Sequence, residues 1–244
     1  QKAGKRGKEK GKGIVIMEQN TMKYKVKQYL MFAGVSTVLF SAVVILPFIY
    51  GLYLTFTSWD GVSKDKPFVG LANYIATFQD AAYWQALGRT LIYSVIAVIL
   101  VNVVAFFLAY LLTSGIKGQN FFRAGFFVPN LIGGIVLGYV WQFVFNNVLI
   151  KMTNNISLLS KTNTALMAII VVYIWQYAGY IMLIYVTGLT QVPKDVLEAS
   201  QIDGANAVTT LFKIKIPMIA ATITICTFLT LTSAFKQFDV NMAL

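Results

Sequence analysis

V-P-K-D-V-L-E-A-S-Q-I-D-G-A-N-A-V-T-T-L-F-K-I-K-I-P, residues 192–217, is the longest mixed polar stretch between apolar blocks in the second half of the chain. Pro193 suits the first turn of a helix, where its missing N–H costs nothing, and Asp195 and Glu198 put negative charge near that helix's positive end. A helix is therefore predicted to start at Pro193. Gly204 offers the permissive backbone that a helix stop needs. Ala199, Ser200, Gly204 and Ala205 carry so little side chain that another protein can approach the backbone closely. The competing reading is a plain amphipathic helix in a loop between two membrane spans.

Both flanks of this stretch are apolar. Residues 216–235 follow it and residues 164–187 precede it, and neither block holds a charged residue. Further upstream, residues 124–150, 90–116 and 29–59 are equally free of charge. About 20 residues carry a helix across a bilayer, so five spans are predicted. The chain is 57% hydrophobic and 12% charged, which is the composition of an integral membrane protein with an all-α fold. A signal peptide competes for residues 29–59, but its apolar region would be shorter and no small-residue cleavage site is evident.

The remaining segments are loops and a tail. Residues 1–28 hold nine Lys and Arg among Gly, Gln and Asn and read as a basic cytoplasmic tail. The chain opens on Gln1, with Met17 and Met22 as further candidate starts, and the Gly/Lys run is given no function. Residues 58–84 form an outer loop with a short surface helix, and residues 151–163 a second outer loop. With the N-terminus inside, fourteen Lys and Arg lie inside and six outside. Without the tail the count is five against six, so the tail decides that comparison. The net charge of +11 thus reflects membrane flanks rather than nucleic-acid binding.

Composition also limits chemistry. The single cysteine, Cys226, cannot form an internal disulfide, and with no histidine the commonest general base and metal ligand is missing. Catalysis, bound metal and a resident cofactor are not expected of this chain. Ion coupling usually places ionisable residues inside spans, and the five blocks contain none, which argues against a secondary transporter or channel.

The spacing across residues 192–217 supplies a more specific reading. Glu198, Ala199 and Ser200 are followed after three residues by Gly204, and after nine more by Ile214, Lys215, Ile216 and Pro217. This resembles the EAA motif, E-A-A-x3-G-x9-I-x-L-P, of permease subunits of ATP-binding-cassette importers, with Ser200 for the third Ala and Ile216 for Leu. A second match is independent of it. W-D-G at residues 59–61, F-V-G-L-A-N-Y at 68–74 and F-Q-D-A-A-Y-W at 78–84 look like the first outer loop of carbohydrate-type permeases, and so do E-A-S-Q-I-D-G-A at 198–205 and F-D-V-N at 238–241.

The resemblance, to the family that includes the maltose transporter's membrane subunits, covers residues 29–244. It implies a polytopic helical bundle of the type I importer permease kind, residues 188–217 as a cytoplasmic coupling loop, and a sixth span beyond Leu244. It further implies a pore half paired with a second homologous permease and two ATPase subunits, which bind the ATP and Mg. An extracellular or periplasmic solute-binding protein would deliver a sugar. Carried onto this sequence, the coupling residues are Pro193, Glu198, Ala199, Ser200, Asp203, Gly204, Ala205, Ile214 and Pro217. An amino-acid or phosphate permease is the nearer alternative.

Candidates for the substrate path come from side-chain chemistry. Aromatic rings stack on apolar sugar faces and amides pair with hydroxyls, which singles out Asn130, Gln142, Trp175, Gln176, Tyr177 and Tyr180. Trp and Tyr near span ends are equally ordinary interface anchors, so two readings stand for residues 175–177, whereas Tyr139 and Trp141 read as anchors. Gln176, near mid-membrane, should face protein or water, because a lipid-facing amide is costly. Pro129, Asn130, Gly133, Gly134 and Gly138 interrupt the third span, where they permit either close helix crossing or local unwinding.

Overall fold

The computed structural model describes residues 22–152 and 157–244. Most of the predicted basic tail, residues 1–21, and residues 153–156 of the second predicted outer loop lie outside the described residues. The chain is helical, and the only β pairing among the described residues is an isolated bridge between Thr57 and Phe68. The described residues divide into two compact units, one ending at Tyr83 and the other beginning at Trp84.

The first unit holds helix α1, Met22–Leu54, which is 33 residues long with no buried residue along its apolar window. Past Lys23, Lys25 and Lys27 in its first turns it carries no charged side chain and exposes mostly apolar ones, so that stretch has no solvent face of the kind a soluble surface helix carries. Helix α1 begins at Met22, within the last residues of the predicted tail. Beyond α1, the chain turns back on itself around Asn73, whose amide donates to the carbonyls of Thr55 at 2.9 Å and Thr57 at 2.8 Å. Asp60 accepts from the backbone N–H of Ser63 at 2.7 Å and of Val62 at 3.0 Å. Those bonds, Ser63's first, hold its carboxyl down at a pKa of about 2. The Lys66 ammonium sits over the rings of Tyr50 and Trp59, 5.0 and 4.8 Å from their centroids. The short surface helix is α2, Ala72–Gln79.

The second unit begins within α3, Ala81–Leu112, which starts well before residue 90 and so encloses Arg89. Ala97, Val101, Ala105 and Ala109 recur every fourth residue, and this small seam is fully buried. Helix α4, Gln119–Phe127, leads into a 3-10 turn at Val128–Leu131, and α5 resumes at Gly134 and runs to Lys151. Helix α6, Thr162–Thr190, is central: Tyr173, Ile181, Met182 and Tyr185 on it are all buried in one core with the α3 seam. Then come α7, Lys194–Ile202, and α8, Ala207–Met218, followed by α9, Ala220–Phe235, and α10, Asp239–Ala243.

Two of the predicted spans are not continuous rods. The third breaks between α4 and α5, where Ile132 and Gly133 are extended (ψ 126° and 140°) after Pro129 removes a ladder donor. Both readings of its glycines hold together. The chain unwinds at Gly133, while Gly134 and Gly138 let α10 pack so closely that a Cβ on Gly138 would lie 2.5 Å from that of Ala243. The fifth span bends by 72° at Ile219, two residues past Pro217, with a π-turn at Leu211–Lys215 on the other side of that proline. At Gly179 the approach is closer still, since an added Cβ would sit 1.8 Å from the Phe126 carbonyl oxygen. Only glycine lets α6 pass the end of α4 there.

Candidate functional site

The stretch at residues 192–217 folds as two capped helices in series. Pro193 stands at the N-cap (φ −61°, ψ 136°), so α7 starts at Lys194, one residue after the predicted start, and Asp195 lies in its first turn. Val192 and Ser200 are buried and Leu197 packs on the core, which fixes one face of α7 to the bundle. Ser200 Oγ donates to the Leu197 carbonyl at 2.7 Å. The stop is a complete Schellman motif. Gly204, at φ +78°, donates its N–H to Gln201 at 3.1 Å, and the Ala205 N–H reaches the Ser200 carbonyl at 2.9 Å. Asn206 then caps α8 by accepting from the Thr209 N–H at 2.8 Å.

This accounts for the fixed spacing from Ser200 to Ala205 in terms of backbone bonds. The opposite face of α7 is open: Pro193, Glu198, Ala199, Asp203 and Gly204 are exposed, and Glu198 has no ion pair among the described residues. Ala205 and Ile214 are half-buried and Pro217 is exposed. Apolar side chains stand out beside them, with Ile202 86%, Val208 65% and Phe212 62% exposed. Lys215 turns inward over the ring of Tyr110, 5.0 Å from its centroid, tying α8 to the last turns of α3.

The predicted substrate-path residues do not form one patch. Trp175 packs edge-on against Trp141 at 5.6 Å and lines an apolar cavity of about 570 Å3 with Phe121, Phe126 and Pro129. Trp141 also tilts onto Phe145 at 5.3 Å, so it packs within the bundle rather than serving only as an anchor. Tyr177 stacks on Tyr173 at 5.3 Å and meets Tyr180 at 5.5 Å on another face of α6. Gln176 donates its amide to the Ile132 carbonyl at 3.2 Å, an acceptor left without a helical partner by the break in the third span. Gln142 donates to the Leu244 carbonyl at 3.0 Å, and Asn130 is half-buried on the 3-10 turn.

A polar cluster inside the bundle was not among the candidates. Asn102 on α3 donates to Thr230 Oγ1 at 2.9 Å and accepts from Tyr185 Oη at 2.8 Å. Tyr173 Oη donates to the Thr230 carbonyl at 2.9 Å, and Thr230 Oγ1 bonds back to the Cys226 carbonyl. These bonds pin α3, α6 and α9 together where unpaired polar groups would be costly. Asn102 was the available signal, being the only amide in residues 90–116.

A bundle of long apolar helices with broken spans, small-residue crossings and a short capped helix projecting at one end is the architecture of a membrane permease subunit. The model of the binding-protein-dependent transport system inner membrane component family matches residues 102–242, and the chain belongs to that family. Relatives include the probable starch degradation products transport system permease protein AmyD of Thermoanaerobacterium thermosulfurigenes. It is 37% identical over 222 residues, covering 88% of this chain and 76% of that one. The multiple sugar-binding transport system permease protein MsmF of Streptococcus mutans serotype c is 30% identical, covering 81% and 71%. A solved bacterial ABC transporter involved in the import of the acidic polysaccharide alginate has the same fold. Its TM-score is 0.74 at 19% identity over 90% of this chain and 77% of that one.

Proposed function

We propose that this chain is one half of the translocation pore of an ATP-driven, binding-protein-dependent carbohydrate importer. In this reading it pairs with a second homologous permease, and two ATPase subunits that bind ATP and Mg2+ dock on its cytoplasmic face. An extracellular or periplasmic solute-binding protein delivers the sugar. The N-terminus is cytoplasmic, which puts α7 on the ATPase side and the 58–84 segment outside. Relatives named for starch degradation products and multiple sugars support the substrate class.

The observation that carries the coupling role is the open face of α7. A nine-residue helix, stopped by the Gly204 turn and held on one side by the core, presents Glu198, Ala199, Asp203 and Gly204 beside exposed Ile202. Exposed apolar side chains rimmed by charge, on a helix that cannot slide, suit docking into a groove of another protein. ATP-driven closure of the ATPase pair would draw the docked helices together. The pull would pass through the bend at Ile219 into α9, and the pore would switch access as rigid pieces. Tyr177 and Tyr180, half-buried and meeting edge to face, are the residues best placed to meet a sugar ring.

Glu198→Lys tests the docking face. Charge reversal at an exposed position leaves the fold alone and should weaken ATPase association about tenfold, or about 1.4 kcal/mol. The expected result is a normal level in the membrane with loss of ATPase co-purification and uptake. Normal co-purification and normal uptake would reduce Glu198 to a solvated loop residue.

A further inference from the structure

At the end of the bundle opposite α7 lies a second, chemically different cavity. It measures about 630 Å3, within the span of about 300–1,000 Å3 that small-molecule sites occupy. The outer turns of α3, the Leu158–Ser160 turn, the start of α6 and residues 234–241 enclose it. The 570 Å3 cavity beside Trp175 is walled by rings and aliphatic chains. This one is lined by Arg89, Tyr93, Ser160, Thr162, Gln237 and Asn241.

Two of those groups are unusual. Tyr93 is 6% exposed, and its hydroxyl has no hydrogen-bond partner among the described residues. The amide nitrogen of Gln237 is likewise buried and unpartnered. Folded proteins rarely leave such donors unpaired, and here both border one cavity. The lining adds the Arg89 guanidinium and contains no carboxylate, so it is rich in donors and needs oxygen acceptors. Lipid tails bring none. A saccharide brings many, along with apolar ring faces for Tyr93, Leu166 and Phe238. Tyr93 also begins a row of rings, 6.1 Å from Tyr173, which stacks in turn on Tyr177.

We infer that this cavity is a reception site for a hydroxyl-rich saccharide unit, held by Tyr93 Oη, Gln237 Nε2 and Arg89 before the substrate moves deeper. The inference rests on the importer reading above, which makes this the outer end of the bundle.

Cys226 is the only cysteine and is buried, so single-cysteine labelling has a low background. In the complex of both permeases and the ATPases, without binding protein, Thr90→Cys on the cavity wall should react with a membrane-impermeant maleimide added from outside. A saccharide that the complete importer takes up, chosen from maltotriose, cellotriose and raffinose, should protect it. Adding Tyr93→Phe or Gln237→Met should leave labelling without sugar unchanged and raise the half-protecting concentration about fivefold, the loss of one hydrogen bond. Absence of protection by a transported saccharide would overturn the site, as would protection indifferent to both substitutions. Protection that follows anionic lipid content instead of sugar would assign the cavity to a headgroup and overturn it as well. Labelling only from the cytoplasmic side would put the cavity at the inner end and overturn the inference. If the complete wild-type importer takes up no saccharide at all, the carbohydrate reading itself fails and the site falls with it.

Discussion

Gly204 separates a fold role from a docking role within one position. Its φ of +78° is left-handed, and an added Cβ would meet nothing within 4 Å. Gly204→Ala therefore costs only backbone conformation, about 1–2 kcal/mol, a fraction of the stability of a folded domain. Leucine at the same site pays the same backbone cost, and its extra atoms project into open space, so the isolated subunit should insert and fold as the alanine variant does. Any further loss with leucine must come from a partner. Forcing a side chain into a packed groove costs about 1–3 kcal/mol, roughly a five- to 150-fold weaker association. The assay compares membrane level, ATPase co-purification and sugar uptake for Gly204→Ala, Gly204→Asn and Gly204→Leu. Asparagine, which tolerates the left-handed region, should keep the helix stop and show the cost of size alone. Equal co-purification and uptake for alanine and leucine would refute docking at this glycine and leave it as a helix stop only.

Two further outcomes test the packing of the bundle. Gly179→Ala places a methyl 1.8 Å from the Phe126 carbonyl oxygen, so α4 and α6 must separate; the melting temperature and membrane level should both fall, and an unchanged melting temperature would disprove the close approach. Gln176→Ala leaves the Ile132 carbonyl unpaired, at a cost of about 1–3 kcal/mol, so basal and substrate-stimulated ATPase activity should fall together with assembly; selective loss of the stimulated part would instead make Gln176 a substrate ligand.

Much of the α7 region can be read from residue types, because caps act locally. Pro193, Gly204 and Asn206 each do what their backbone or side chain favours, and the bonds from Ala205 and Gly204 close within six residues. Apolar length likewise finds the four long apolar helices among the described residues, and the predicted fifth span corresponds to the pair of helices bent by 72° at Ile219. What it does not give is where a span breaks. Pro129 and Pro217 mark the neighbourhoods, yet the extended residues are Ile132 and Gly133 in one case and the bend falls at Ile219 in the other. The break in the third span is met by partners distant in sequence, the Gln176 amide at the Ile132 carbonyl and α10 against Gly134 and Gly138. Charge counting could not settle the boundary of the second span either, because α3 carries Arg89 within its outer turns.

The substrate path was harder to read for a geometric reason. Trp175, Gln176 and Tyr177 are neighbours in sequence, but each step along an α-helix turns the side chain by about 100°, so three in a row point to three different places. They meet Trp141, the Ile132 carbonyl and Tyr173 respectively. The useful spacing is three or four: Tyr173, Tyr177 and Tyr180 share one face, and that face leads through Tyr173 to Tyr93 on α3. A polar residue in a charge-free span is also only half of an interaction until its partner is known. Asn102 and Gln176 both resolve into ties between helices, one to Thr230 and Tyr185 and the other to a broken backbone. Tyr93 and Gln237 find no such tie among the described residues, and neither do Ser94 Oγ and Arg123 Nε; of the four only Tyr93 and Gln237 line the outer cavity, which is why the proposed saccharide site is built on them.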